Sequence, residues 1–297
     1  MESTAFIFPA FGERLAEKDI MFHEKHKDVF HGYFEKISAS DDCFAKSYGK
    51  LVSDELNAQY AAYAYSCAAS SVLKQNGIVP TYLSGYSLGL YASLYHAGSI
   101  TYDEGLALIG KIFNLIIKEI EGSDFGIAVI IGLEKKDVNK FISENSSTIE
   151  IINENNKYSF VIAGKGEEIQ RVLELCIEEG GMNSRMLPIR APYHSKFVAY
   201  AAEKFLDFVK TVVNVRSASI PLISTIDQRI VSSKTDIEKE IADNIKYNIN
   251  WNKTIQELVS LGCSRMIECG IGKSLVKIGK FIEGDYRITG LDKVFIN

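Results

Sequence analysis

The apolar positions of the chain change their spacing twice. The opening run Thr4-Ala5-Phe6-Ile7-Phe8 is short and continuous and is closed by Pro9 and Gly12, which predicts a buried strand followed by a turn. Residues 16–78 read as mostly helical. Within them, LNAQYAAYAYSCAASSVLKQNG (56–77) is apolar nearly all round and stops at Gly77, the pattern of a buried helix. TYLSGYS (81–87) predicts a strand and tight turn, and LGLYASLYHAG (88–98) a helix closed by Gly98. The helix predicted for 101–120 begins with Thr101 and Glu104 at capping-box spacing.

Between 125 and 190 the pattern is different. FGIAVIIGL reads as a strand, EKKDVNKFISENS as an amphipathic helix, STIEIINE and YSFVIAG as strands, GEEIQRVLELCIEEGG as a helix ended by glycines, and SRMLPIR as a last strand. The order β-α-β-β-α-β is that of a ferredoxin-like unit, read as a self-contained subdomain at 125–190 inserted into a larger one made of 1–124 and 191–297. In the outer segments strands (SIPLIST, RMIECG) alternate with helices. The expected fold class is therefore α/β, a hydrolase-like parallel sheet covered on both faces, with the inserted ferredoxin-like subdomain.

Composition narrows the function. The chain has 297 residues, 46% of them apolar, enough for a sizeable core. A net charge of -5 leaves no basic surface to suggest nucleic acid or an anionic membrane as partner. No run approaches the roughly 18 apolar residues of a membrane span. Glu2 stands where a signal peptide carries positive charge, so the expected compartment is the cytoplasm. Cys43, Cys67, Cys176, Cys263 and Cys269 are odd in number and widely spaced, which argues against a disulfide framework or zinc site, and no metal constellation is found.

The chemistry centres on Gly85-Tyr86-Ser87-Leu88-Gly89. A G-x-S-x-G turn between strand and helix lifts a serine hydroxyl off the sheet edge and aims the next amide, that of Leu88, at a reacting oxygen; its neighbours must be glycine because the turn is crowded. The competing reading is a plain strand–helix turn with Ser87 as a cap. A nucleophilic serine needs a base. Among His23, His26, His31, His96 and His194, the best placed is His194, in the loop RAPYHS, against the alternative of a loop histidine without a partner.

Seven ordered stretches resemble the malonyl-CoA:acyl-carrier-protein transacylase family, which includes free-standing acyltransferases and acyl hydrolases of polyketide and fatty-acid pathways. Phe8-Pro9-Ala10-Phe11-Gly12-Glu13-Arg14 stands at the family's F-P-G-Q-G-S-Q, and Gly85 to Gly89 at its G-H-S-L-G. AVIIGL, Asn153-Glu154-Asn155 through FVIAG, Pro192-Tyr193-His194, Ile249-Asn250-Trp251 and Glu268-Cys269-Gly270-Ile271-Gly272-Lys273-Ser274-Leu275 follow in the family's order. The resemblance implies Ser87 as the acyl-enzyme nucleophile and His194 as base, then acid. It also implies an oxyanion hole of the Phe11 and Leu88 amides, and the Asn250 carbonyl as the group orienting His194. The substrate would be acyl-CoA or a phosphopantetheinyl acyl carrier protein, with no bound cofactor, the carrier protein as partner, and a monomer as the expected state.

Three departures bear on the substrate. Ile109 occupies the place of the arginine with which the family holds malonate, and a buried carboxylate without a bidentate cation is poorly compensated. Ala10-Phe11-Gly12-Glu13-Arg14 adds an aromatic wall and two charges near the entrance, and the bulky Tyr86 and Tyr193 flank the reacting pair. Ile109, Tyr86, Tyr193 and Asn153 are the expected acyl-pocket residues. The favoured function is an acyltransferase for a non-malonyl group. The alternatives are a proofreading acyl-carrier-protein thioester hydrolase, a malonyl transferase using Arg14, Arg190 or Lys196 as substitute cation, and a non-catalytic carrier-binding module.

Overall fold

A computed structural model describes residues 3–37, 48–49 and 53–295. Its strands are β1 (Ser3–Phe8), β2 (Tyr82–Gly85), β3 (Phe125–Ile131), β4 (Glu150–Asn156), β5 (Ser159–Lys165), β6 (Arg185–Met186), β7 (Leu222–Ile223), β8 (Ile230–Val231), β9 (Ile249–Asn250), β10 (Cys263–Glu268) and β11 (Arg287–Gly290). They form two sheets.

The larger sheet runs β11-β10-β1-β2-β7-β8, parallel throughout except for the antiparallel β7–β8 pair. Its central strand carries Ala5, Phe6, Ile7 and Phe8 at 0% exposure, so both faces of the sheet are covered, as a continuous apolar run requires. The Glu55–Gln75 helix lies in the main core. Its alternation of Ala61, Ala64 and Ala68 with Tyr63 and Tyr65 packs small residues beside large ones. The Tyr102–Glu119 helix starts with both halves of its capping box made: the Thr101 hydroxyl accepts from the Glu104 amide (3.2 Å), and the Glu104 carboxylate accepts from the Thr101 amide (2.6 Å).

The smaller sheet runs β6-β3-β5-β4-β9. One face packs under the Lys135–Asn145 and Gly166–Glu178 helices through Ala128, Ile130, Phe160, Ile162, Val172 and Leu173. The alternate residues Ile127, Val129 and Ile131 on β3 point the other way by the two-residue period of a strand. Two features differ from the sequence reading. SRMLPIR is a strand only over Arg185–Met186; the Leu187 amide adds one bond to Ile127 O (2.8 Å), and Pro188 has no N–H to continue the ladder. The 125–190 segment is also not self-contained: β9, from far downstream, pairs parallel with β4 (Asn153 opposite Ile249, Glu154 opposite Asn250) and supplies partners for its edge. A two-residue strand leaves no periodic signal to detect.

Candidate active site

The nucleophile turn is built by close approach. A Cβ on Gly85 would lie 2.3 Å from the Leu90 amide nitrogen, and one on Gly89 2.1 Å from the Phe8 carbonyl oxygen. Both positions exclude any side chain, so the turn at the end of β2 sits flush against β1. Ser87 itself has φ 55°, a left-handed conformation that costs a non-glycine residue energy. The turn is pinned by the Tyr86 amide donating to Phe8 O (2.9 Å) and the Leu90 amide to Ser87 O (3.0 Å). The Gly89–His96 helix follows, with Leu88 rather than Ser87 at its N-cap, so Ser87 is not the helix cap.

Ser87 Oγ lies 2.8 Å from His194 Nε2. His194 also has positive φ (62°), and its amide donates to Ile245 O (2.7 Å), so the loop carrying it is fixed by backbone. Burial lowers the imidazole pKa to about 4, with the Asn244 backbone carbonyl pulling it back up. At neutral pH the ring is therefore uncharged and able to take a proton. His194 Nδ1 is buried and makes no hydrogen bond of ordinary geometry. Asn244, itself buried, meets both members of the pair: its carbonyl acts on the imidazole, and its side-chain amide donates to Ser87 O (3.3 Å).

Ser87 and His194 open into a cleft of about 730 Å3 between the two sheets. Phe11, Tyr86, Asn153, Asn155 and Tyr193 line it, and so do Ile127, Val129, Ile131, Val161, Leu187 and Ile278. The wall contributed by the smaller sheet is thus aliphatic along β3 and at Val161, with Asn153 and Asn155 of β4 and Arg185 of β6 as its polar members. Tyr86 ties the nucleophile turn to that sheet. Its hydroxyl donates to Asn155 Oδ1 (2.7 Å) and accepts from Asn153 Nδ2, and its ring meets Trp251 edge-on (5.3 Å, 78°). Among the described residues, neither the Phe11 nor the Leu88 amide is engaged in a hydrogen bond. No cluster of metal-binding side chains occurs among the described residues, and no described helix is long and apolar enough to cross a membrane.

The acyl transferase domain family matches residues 31–271. The chain belongs to this family. The acyltransferase is 25% identical, over 93% of its own length and 89% of the relative's, to a malonyl CoA-acyl carrier protein transacylase of Bacillus subtilis. It is 27% identical to a polyketide-biosynthesis malonyl CoA-acyl carrier protein transacylase of Bacillus velezensis, covering 91% of this chain and 93% of that one. Among solved structures it superposes with a TM-score of 0.84 on the acyl-carrier-protein S-malonyltransferase of Burkholderia pseudomallei 1710b, at 26% identity and covering 97% of this chain and 96% of that one.

Two residues of the acyltransferase are not where the sequence reading put them. Asn250 does not orient His194: its side chain caps the Trp251–Ser260 helix by accepting from the Lys253 amide (2.9 Å), and its carbonyl accepts from the Thr254 hydroxyl (2.8 Å). Asn244 holds the carbonyl near the imidazole instead. Ile109 is fully buried in the main core and does not line the cleft, because its helix turns that position inward. Of the substitute cations, Lys196 is paired with Glu150 (2.6 Å) and Arg190 is outside the cleft wall, whereas Arg14 lines it and has no ion pair among the described residues. Arg185 also lines it, and so does Glu55; neither was singled out from sequence, nor was Asn244, since an isolated Arg, Glu or Asn carries no motif. Cys43 lies outside the described residues; Cys67, Cys176, Cys263 and Cys269 are buried and free.

Proposed function

We propose that this acyltransferase moves an acyl group, other than malonyl, between the thiol of CoA or an acyl carrier protein and a second carrier thiol, through an ester on Ser87. The observation that carries the reading is the 2.8 Å contact between Ser87 Oγ and a neutral His194 Nε2 at the floor of an aliphatic cleft. His194 Nε2 takes the hydroxyl proton as Oγ attacks the thioester carbonyl. The tetrahedral oxyanion forms beside the Leu88 amide at the start of its helix and the Phe11 amide. Collapse breaks the C–S bond, and the leaving thiolate takes the proton from Nε2. The acceptor thiol then runs the same steps in reverse, restoring the Ser87 hydroxyl. The curated relatives' names, which specify acyl carrier protein, support the carrier as partner.

The aliphatic stretch of Ile127, Val129, Ile131 and Val161 in the cleft wall favours an uncharged acyl chain. A second reading, malonyl transfer, has in its favour the relatives' names and Arg14 in the cleft wall, which has no ion pair among the described residues. Intact-protein mass spectrometry after incubation with malonyl-CoA and neutral acyl-CoAs separates the two. Neutral acyl mass on wild type but not on Ser87→Ala is the expected result. Labelling by malonyl alone would overturn it, and loss of that label in Arg14→Ala would establish the second reading. A label that persists without an acceptor thiol marks a transferase, whereas rapid release as free acid marks a hydrolase.

A further inference from the structure

The following inference rests on the acyl-enzyme reading above. Glu55, the first residue of the Glu55–Gln75 helix, lines the same cleft as Ser87 and His194. Its Oε1 is shielded from solvent and has no hydrogen-bond partner. Its Oε2 receives one long contact, 3.5 Å, from the Arg190 amide. Burial raises the carboxyl pKa above the ordinary range, neighbouring Asp54 pushes the same way, and the Arg190 amide and charge offset only part of this. The Glu55 charge also acts on the Tyr193 hydroxyl, which puts the carboxylate near the residue that precedes His194. Asn153, 3% exposed and in the same cleft wall, presents a second acceptor with no donor: its Nδ2 is held by Tyr86 and its Oδ1 is unpartnered.

A buried acceptor without a donor is unfavourable, and Arg14 and Arg185, although they line the same cleft, do not reach Glu55 Oε1. A ligand bearing N–H or O–H would supply the missing bond, whereas a ligand carboxylate would add a like charge to the same low-dielectric space. We propose that Glu55 forms a polar subsite in the acyl pocket that accepts a hydrogen bond from a hydroxyl or ammonium group on the acyl chain and turns away dicarboxylic acyl groups. Sites built to satisfy a substrate donor discriminate strongly against the analogue that lacks it, more strongly than an apolar pocket senses one methylene.

The test is a competition in which the full chain loads from an equimolar mixture of chain-matched unsubstituted, hydroxyl-bearing and amine-bearing acyl-CoAs together with malonyl-CoA, with the adduct ratios read on Ser87 by mass spectrometry. Wild type is expected to favour a donor-bearing acyl group over the unsubstituted one at least tenfold. Glu55→Leu brings that ratio to about one. Glu55→Gln, whose amide oxygen still accepts from a hydroxyl, retains a hydroxyl preference but loses an ammonium preference, which identifies the donor. An unchanged ratio in Glu55→Leu overturns the subsite while leaving neutral acyl transfer standing; malonyl as the sole adduct on wild type overturns the functional reading itself. Should Glu55→Leu fail to fold, Glu55→Gln reads the charge directly. It raises malonyl relative to unsubstituted acyl at least fivefold, and no rise overturns the proposal.

Discussion

The two sheets use apolar surface in opposite ways. In the six-stranded sheet, β1 is buried to 0% exposure at four consecutive residues, and that rigid strand forms the bed on which the Gly85–Gly89 turn lies. In the five-stranded sheet one face packs extensively against two helices. The other carries a small buried cluster of Ile127, Ile152 and Ala163 and also turns Ile127, Val129 and Ile131 to the cleft. The nucleophile sits beside the strand with no packing freedom and its base on a loop pinned by backbone, and the strained φ at both Ser87 and His194 is held by over-determined surroundings. Selectivity sits on a face whose side chains have a smaller packed cluster behind them, that of Ile127, Ile152 and Ala163. The division predicts that variants of the two sheets fail in different ways.

The largest effect belongs to the Ser87–His194 pair. His194→Ala is expected to lower the rate of Ser87 acylation about 10³-fold with little change in melting temperature, measured by time-resolved mass spectrometry and calorimetry. In the wild type the same ring sets the pH profile. With a folded pKa of about 4, the base remains deprotonated down to about pH 5, and acylation halves near pH 4. The unfolded chain binds that proton at an ordinary histidine pKa, so His194 also makes stability fall as pH drops from about 6.5 to 4. An acylation midpoint near 6.5 would mean that the imidazole is not desolvated.

A smaller, different effect is expected from the second sheet. Val129→Phe shortens the acyl chain that is accepted and shifts kcat/KM between long and short acyl-CoAs by about tenfold. The labelling of Ser87 by a small serine-directed reagent stays near its wild-type rate. Loss of both together would break the division. The smallest effect is at the junction. Tyr86→Phe removes the hydroxyl shared by Asn153 and Asn155, leaving both buried amides short of a partner, and costs about 1–3 kcal/mol of stability in denaturant titration. It raises KM more than it lowers kcat, because the wall moves while Ser87 and His194 keep their contact.

What was legible in the sequence follows the same line. The nucleophile turn is visible because its constraint is local: Gly85 and Gly89 are where backbone meets backbone, and no other residue fits. The capping box of the Tyr102–Glu119 helix is legible for the same reason. Asn244 is not, because its contribution to His194 is a carbonyl that any residue supplies, and nothing in side-chain identity distinguishes position 244 from position 250. Ile109 shows the limit of motif position: its place in the sequence is that of a ligand-binding arginine, yet its side chain has gone into the core. Arg14, Arg185 and Glu55 come together in the cleft from three distant stretches, an arrangement that depends on how the two sheets face each other.

The short pairing of β9 with β4 has a practical consequence for chimeras. A designer who wished to give this enzyme another relative's acyl selectivity would naturally cut at the two ends of the 125–190 segment and transplant the piece between them. Such a graft would arrive with its outer strand facing Ile249 and Asn250 of a foreign host, the second of which caps the Trp251–Ser260 helix. The exchangeable cassette is therefore discontinuous: it consists of 125–190 together with the 248–251 stretch, and the seam between donor and host runs through four places in the chain rather than two.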